Sequence, residues 1–87
     1  MSENKNKKIL LKSLSAAVKK LRGNLSQSKV AIKGDISTST VNLIEHATKD
    51  PQFTTLYKLA ETFEIDFAEF AKLIQNEIPK GISLIEK

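Results

Sequence analysis

The sequence contains no cysteine and no tryptophan, and only three glycines, two prolines and one histidine among its 87 residues. Without cysteine there is no disulfide framework, no thiolate chemistry and no cysteine-based zinc site, which fits a reducing cytoplasm. A lone histidine and scattered carboxylates do not make a transition-metal site, so we expect no metal and no cofactor. No apolar run approaches the roughly 18 residues that a membrane-spanning helix needs. These absences favour a soluble, cytoplasmic chain.

Groupings typical of enzymes are also missing. The sequence has no nucleophile paired with a base, no glycine loop of the kind that cradles phosphate, and no pair of carboxylates suited to a cleft. We therefore predict that the chain is not an enzyme. Its length suits one domain, and 40% hydrophobic with 28% charged residues is an ordinary globular balance.

Charge is unevenly distributed along the chain. Residues 1–22 contain seven basic residues and one acid, a formal charge of +6, whereas residues 23–49 carry +1 and residues 50–87 carry −3. Such asymmetry is expected when one face of a domain meets phosphate; a basic solvated tail on an ordinary domain is the alternative. Residues 1–8 are lysine-rich and without periodicity, which predicts a flexible basic arm.

Apolar periodicity and capping residues predict five helices and no strand, an all-α domain over residues 9–78. The first helix spans about 9–22, with Gly23-Asn24 ending it. Ser26 caps a second helix over about 27–33, and Ser37 caps a third over about 38–46. Gly34-Asp35 forms the turn between them, because both residues tolerate positive φ.

Two further helices and a tail complete the predicted chain. The fourth helix covers about 53–63 and buries Phe53, and the fifth runs to about residue 77 behind a capping box of Asp66 and Glu69. The tail, residues 79–87, contains Ile82-Ser83-Leu84-Ile85. These residues are too apolar to be left in solvent, so we expect the tail either to fold back on the core or to contact a second subunit.

The central feature is the stretch from Ser26 to Glu45, which reads as helix, turn, helix. Val30, Ala31, Ile36, Val41 and Ile44 have the spacing that packs two helices at a steep angle. The third helix carries β-branched and hydroxyl residues on its outer face, although these are poor helix formers. That composition indicates a helix used for contact, and an α-helix fits the major groove of DNA.

Here the chain resembles the lambda-repressor-like, Cro/CI or Xre-type helix-turn-helix domains, from about Leu14 to Phe70. The residues that carry the resemblance are Leu25-Ser26-Gln27, Val30-Ala31, Ile36-Ser37, Ser39-Thr40-Val41, Ile44-Glu45, Pro51, Leu56, Leu59-Ala60, Phe63, Ile65 and Phe70. The resemblance implies a five-helix lambda-repressor-like domain whose partner is double-stranded DNA.

The resemblance also implies roles for single residues. Gln27 corresponds to a glutamine that bonds a phosphate and braces the recognition helix, and Glu45 to a glutamate that pairs with a basic residue at the position of Lys20. The residues expected to contact DNA are Gln27, Ser37, Thr38, Ser39, Thr40, Asn42, Leu43, His46 and Lys49.

Three positions depart from the family's usual pattern. Lys20 stands where arginine is usual, and lysine cannot form a bidentate fork to Glu45. Gly34 and Asp35 replace a large apolar residue followed by glycine, which could shift the third helix by one residue. Glu64 replaces a usual glycine after the fourth helix.

Two functions are consistent with these patterns. The first is a sequence-specific regulator, a small homodimeric repressor that reads the major groove with its third helix. Its outer face has no arginine or glutamine, so we expect an A·T-leaning site read partly by shape, with the basic arm in the minor groove. The second is a protein-interaction or antitoxin-like module in which the helix-turn-helix is scaffold and the tail binds a protein partner.

Overall fold

The computed structural model describes the backbone of residues 2–85 and the side chains of residues 5–85. Met1 and residues 86–87, the ends of the predicted arm and tail, lie outside the described residues. Over the described range the chain forms five helices and no strand, as predicted. They are α1 (Ser2–Arg22), α2 (Gln27–Gly34), α3 (Thr38–Glu45), α4 (Phe53–Thr62) and α5 (Phe67–Glu77). None of these helices is both long and apolar enough to cross a membrane.

Local capping sets the helix-turn-helix boundaries. The Ser26 hydroxyl accepts a hydrogen bond from the Lys29 backbone N–H at 3.1 Å, and the Ser37 hydroxyl accepts one from the Thr40 N–H at 3.0 Å. Each bond satisfies a backbone donor that the first helical turn would otherwise leave unpaired. The third helix therefore begins at Thr38 as predicted, without the one-residue shift that the unusual turn could have caused.

The turn between α2 and α3 works differently from its family pattern. Gly34 is the last residue of α2 and is buried, whereas Asp35 adopts the left-handed conformation with φ 55°. A Cβ on Gly34 would lie 2.5 Å from the Thr62 hydroxyl of α4. Gly34 is thus required for close approach of α2 to α4, and Asp35 takes the left-handed position that a glycine usually occupies.

The core lies where α1, the helix-turn-helix and the last two helices meet. Its buried members come from all five helices: Leu14, Val18, Val30, Ala31, Val41, Ile44, Leu59, Ala60 and Phe70. The inward positions predicted for α2 and α3 are confirmed, and Ile36 on the turn is half-buried against this core.

The N-terminal segment differs from the predicted arm. α1 starts at Ser2, so the residues expected to be flexible form a helical extension instead. Lys7 forms an ion pair with Asp50 at 3.7 Å, and the Asn6 amide donates to the Ser83 carbonyl at 2.7 Å. Lysine and glutamate are good helix formers, and these two contacts tie the extension to the α3–α4 loop and to the tail.

Two further predictions were wrong in detail. Phe53 is 64% exposed, because it is the first residue of α4 and lies at the edge of the core, with its ring 5.2 Å from the Phe67 ring. Asp66 occupies the N-cap position of α5, but its side chain accepts no cap hydrogen bond. Both Asp66 and Glu69 are exposed, where water competes for the same groups.

The tail folds back on the core in part, and its expected contact with a second subunit stays a prediction. Ile82 is half-buried, and the bond from Asn6 holds Ser83 against α1. Leu84 and Ile85 remain 50% and 77% exposed. The tail therefore folds back only as far as Ser83.

Candidate nucleic-acid interface

The outer face of α3 carries three of the residues predicted to contact DNA. Thr38, Ser39 and Leu43 are exposed, and the opposite face is buried through Val41 and Ile44. Exposed positions four apart lie on one face of a helix, so Ser39 and Leu43 form a single contact surface. Of the remaining predicted residues, Ser37 and His46 are exposed, and Gln27, Thr40, Asn42 and Lys49 are half-buried.

The hydroxyl groups of this region divide into two sets. Ser37 and Thr40 satisfy each other, because the Ser37 hydroxyl donates to the Thr40 hydroxyl at 2.8 Å while accepting from its backbone. Thr38 and Ser39 make no side-chain hydrogen bond to any described residue. Thr38 and Ser39 are therefore the hydroxyls left available to a partner.

A polar network fixes α3 against the ends of α1 and α2. The Arg22 guanidinium donates to both carboxylate oxygens of Glu45, from Nε at 2.5 Å and from Nη2 at 2.9 Å. Gln27 Nε2 also donates to Glu45 Oε1 at 3.0 Å, and Asn42 Nδ2 donates to Gln27 Oε1 at 3.2 Å. Gln27 thus braces α3, as the family resemblance implies. The DNA contacts of Gln27 and Asn42 stay predictions.

The partner of Glu45 is Arg22, not the predicted Lys20. Lys20 instead binds Glu77 of α5 through its Nζ at 2.5 Å. Residues two apart on an α-helix are rotated by about 200° around the helix axis. Lys20 and Arg22 therefore point to nearly opposite sides of α1. The bidentate fork that lysine cannot make is therefore present, contributed by Arg22.

The charge state of Glu45 follows from this network. Burial by itself would raise the pKa of Glu45, but the hydrogen bonds from Arg22 and Gln27 and the positive charges of Arg22 and Lys19 together outweigh burial, so its pKa lies below the ordinary value. The same hydrogen bond raises the pKa of Arg22. A nearly buried carboxylate, 5% exposed, is therefore kept ionised and paired.

The loop after α3 is fastened to the end of that helix. His46 Nδ1 donates to the Asn42 carbonyl at 2.8 Å, which leaves Nε2 as the outer ring nitrogen. The backbone N–H and the hydroxyl of Thr48 both bond the Leu43 carbonyl, at 3.1 and 3.2 Å. Ala47 between them adopts φ 58°. His46 and Lys49 are thus held at the C-terminal end of α3.

Sequence reasoning missed two residues of α1 that position this site. The buried Ser15 hydroxyl donates to the Glu45 carbonyl at 2.6 Å, and Arg22 binds the Glu45 side chain. Ser15, Val18 and Arg22 are spaced three and four apart, so they lie on one face of α1. Because Ser15 and Arg22 share a helix face with the apolar Val18, the sequence pattern indicated that this face packs against a polar partner.

Comparison with known proteins agrees with this geometry. A helix-turn-helix family model of the Cro/CI, Xre-like type matches residues 18–70, which is more than half of the chain. No curated protein and no solved structure matches the chain. The matched region begins within α1, covers the whole polar network except Ser15, and ends at buried Phe70. The chain belongs to the Cro/CI-type, Xre-like helix-turn-helix family of DNA-binding regulators.

Proposed function

We propose that the protein is a homodimeric transcriptional repressor that reads a two-fold site in duplex DNA with α3. The observation that carries the proposal is the two-sidedness of α3. One face is fixed by Val41, Ile44 and Glu45, and the other presents Thr38, Ser39 and Leu43 to solvent. A short helix held rigidly from behind, with its N-terminal side chains exposed, suits insertion into the major groove.

The chemistry of the exposed face favours an A·T-leaning site. It offers hydroxyls, a threonine methyl and a leucine, but no arginine or glutamine that would form two bonds to guanine. The threonine methyl and the leucine side chain suit the thymine methyl group, and hydroxyls bond either base edges or phosphates. Repression follows from occlusion, since a dimer seated across a promoter keeps other proteins off the same groove.

Homodimerisation is supported by the exposed end of the tail. Leu84 and Ile85 form an apolar surface next to the Ser83 contact with α1. Two copies joined in this way would place their α3 helices in successive major grooves, about 34–36 Å apart. Sedimentation equilibrium should give a dimer for the native protein and a monomer for Ile85→Lys. Ile32→Lys, which changes an exposed isoleucine of α2, is the matched control and should stay dimeric.

Selection of bound duplexes from a random pool tests the main proposal. We expect an A·T-rich consensus with two-fold symmetry and half-sites spaced one helical turn apart. A G·C-rich consensus would contradict base reading by Thr38 and Ser39, and a site without symmetry would contradict the dimer.

A second function, a protein-interaction module, is favoured by one observation. Ile85 is 77% exposed, and a partner protein could cover it instead of a second copy. In that case the protein would remain a monomer and bind no duplex at about 50 mM salt, a condition under which contacts with phosphate are strong. A salt-sensitive duplex complex of a dimer would instead support the repressor.

A further inference from the structure

A groove of about 660 Å³ runs beside the C-terminal end of α3, between α1 and the residues that follow α3. Its lining combines three lysines with small side chains. The lining residues are Lys12, Ser15, Ala16, Lys19, Lys20, Glu45, His46 and Ala47. His46, which was predicted to contact DNA, is the residue immediately after α3, so the groove lies at the C-terminal end of that helix.

The free charge of the groove is positive. Glu45 is neutralised by Arg22, and Lys20 is engaged by Glu77. Lys12 and Lys19 are exposed and form no ion pair with any side chain among residues 5–85. Two unpaired ammonium groups on one rim are suited to an anionic partner.

The floor of the groove offers few free hydrogen-bonding groups. Ala16 and Ala47 present methyl groups, and the Ser15 hydroxyl is already used by the Glu45 carbonyl at 2.6 Å. An apolar floor beneath a cationic rim suits a sugar–phosphate chain, whose sugars present C–H groups and whose phosphates carry the charge.

The spacing of the two lysines suits a strand better than a single phosphate. Lys12, Ala16 and Lys19 follow one another at intervals of four and three, so they lie on one face of α1. Seven residues of α-helix advance by about 10.5 Å, which is more than one phosphate group spans. The two ammonium groups therefore suit different phosphates of one strand.

We propose that this groove binds the sugar–phosphate backbone of the DNA strand flanking the base pairs read by α3, with Lys12 and Lys19 on phosphates. The proposal rests on the DNA-binding function proposed above. It extends the contact beyond the region that the helix-turn-helix family model covers, because Lys12 and Ala16 precede residue 18.

The test is a titration of the selected duplex by Lys12→Gln, Lys19→Gln and the double variant at several salt concentrations. Lys72→Gln is the matched control, because Lys72 is exposed on α5 and forms no ion pair among the described residues. Each groove lysine should contribute about one unit to the slope of log affinity against log salt. We expect each single variant to lose about fivefold to tenfold in affinity at about 0.1 M salt. Lys72→Gln should change neither quantity.

The outcomes separate the groove from the main function. If the double variant binds its sequence-specific duplex with the native affinity and the native salt slope, the groove proposal is overturned and the proposed function stands. A changed ranking of duplex sequences by affinity would also overturn it, because loss of a phosphate contact weakens binding to all duplexes alike. If the native protein binds no duplex, both proposals are overturned. Circular dichroism of each variant verifies that the fold is retained.

Discussion

The helix-turn-helix is held on two sides by different kinds of contact, hydrogen bonds on one side and close packing on the other. On the α1 side, Arg22 and Ser15 bind Glu45 through directed hydrogen bonds. On the α4 side, Gly34 lies so close to Thr62 that a Cβ has no room. The polar side sets the orientation of α3, because a bidentate ion pair has a fixed geometry. The packed side sets the distance of α2 from α4, because contact between buried groups resists compression.

The largest expected effect lies on the polar side. Arg22→Ala leaves the Glu45 carboxylate nearly buried with Gln27 as its remaining side-chain donor, and an orphaned buried charge costs about 3–5 kcal/mol. Urea denaturation should show that loss in the free energy of unfolding. Lys20→Ala is the control, since its pair with Glu77 is 71% exposed at the lysine and should cost about 1 kcal/mol or less. Equal losses in the two variants would mean that Arg22 acts only as a surface charge.

The same pair makes stability depend on pH. The pKa of Glu45 is lowered in the folded chain from the ordinary 4.5. The unfolded chain therefore binds the proton more tightly, and this stabilisation is fully present above about pH 4.5 and lost as pH falls through the lower folded pKa. Unfolding measured between pH 6 and pH 3 should show a steeper loss for the native protein than for Arg22→Ala. Glu64→Gln should retain most of the native slope, because its pair with Lys33 is exposed.

An intermediate effect is expected on the packed side. Gly34→Ala adds one methyl group that would lie 2.5 Å from the Thr62 hydroxyl, and overpacking of this kind costs about 1–3 kcal/mol. Thr62→Ala removes the obstructing hydroxyl, which donates to the Lys58 carbonyl of its own helix. The double variant should therefore recover much of the loss, seen as a favourable coupling energy in a double-mutant cycle. Additive losses would show that the contact does not limit the approach of α2.

The smallest effect concerns Glu64, just beyond α4, which reaches Lys33 of α2 at 2.9 Å. Its φ of 60° is a strained conformation for any residue with a Cβ. Glu64→Gly and Glu64→Ala both remove the ion pair, and only the first removes the strain. The glycine variant should be more stable than the alanine variant by about 1 kcal/mol. Equal thermal stability would mean that the surrounding turn relaxes to accommodate a side chain.

Local chemistry explains why much of the fold was predictable. Helices α2 to α5 begin and end within one residue of their predicted bounds. For α2 and α3 the reason is local, because Ser26 and Ser37 bond backbone groups only three residues away. The left-handed conformation of Glu64 was also readable, from a non-glycine residue at a position where related domains use glycine.

The remaining features depend on the rotation and reach of α1, which sequence spacing left open. Lys20 and Arg22 are both basic and near the end of that helix, yet one faces α5 and the other faces α3. The helical start at Ser2 depends on contacts with Asp50 and Ser83, both of which are remote in sequence. The DNA contacts of α3 were predicted by residue type and family resemblance alone.

The division of labour within α3 has an evolutionary consequence. Val41, Ile44 and Glu45 maintain its packing, whereas Thr38, Ser39 and Leu43 are exposed. Substitutions at the exposed positions leave the core untouched, so they change stability by only a few tenths of a kcal/mol, within about ±0.5. The same fold can therefore acquire a new contact face through a few substitutions, and the protein stays folded after each of them.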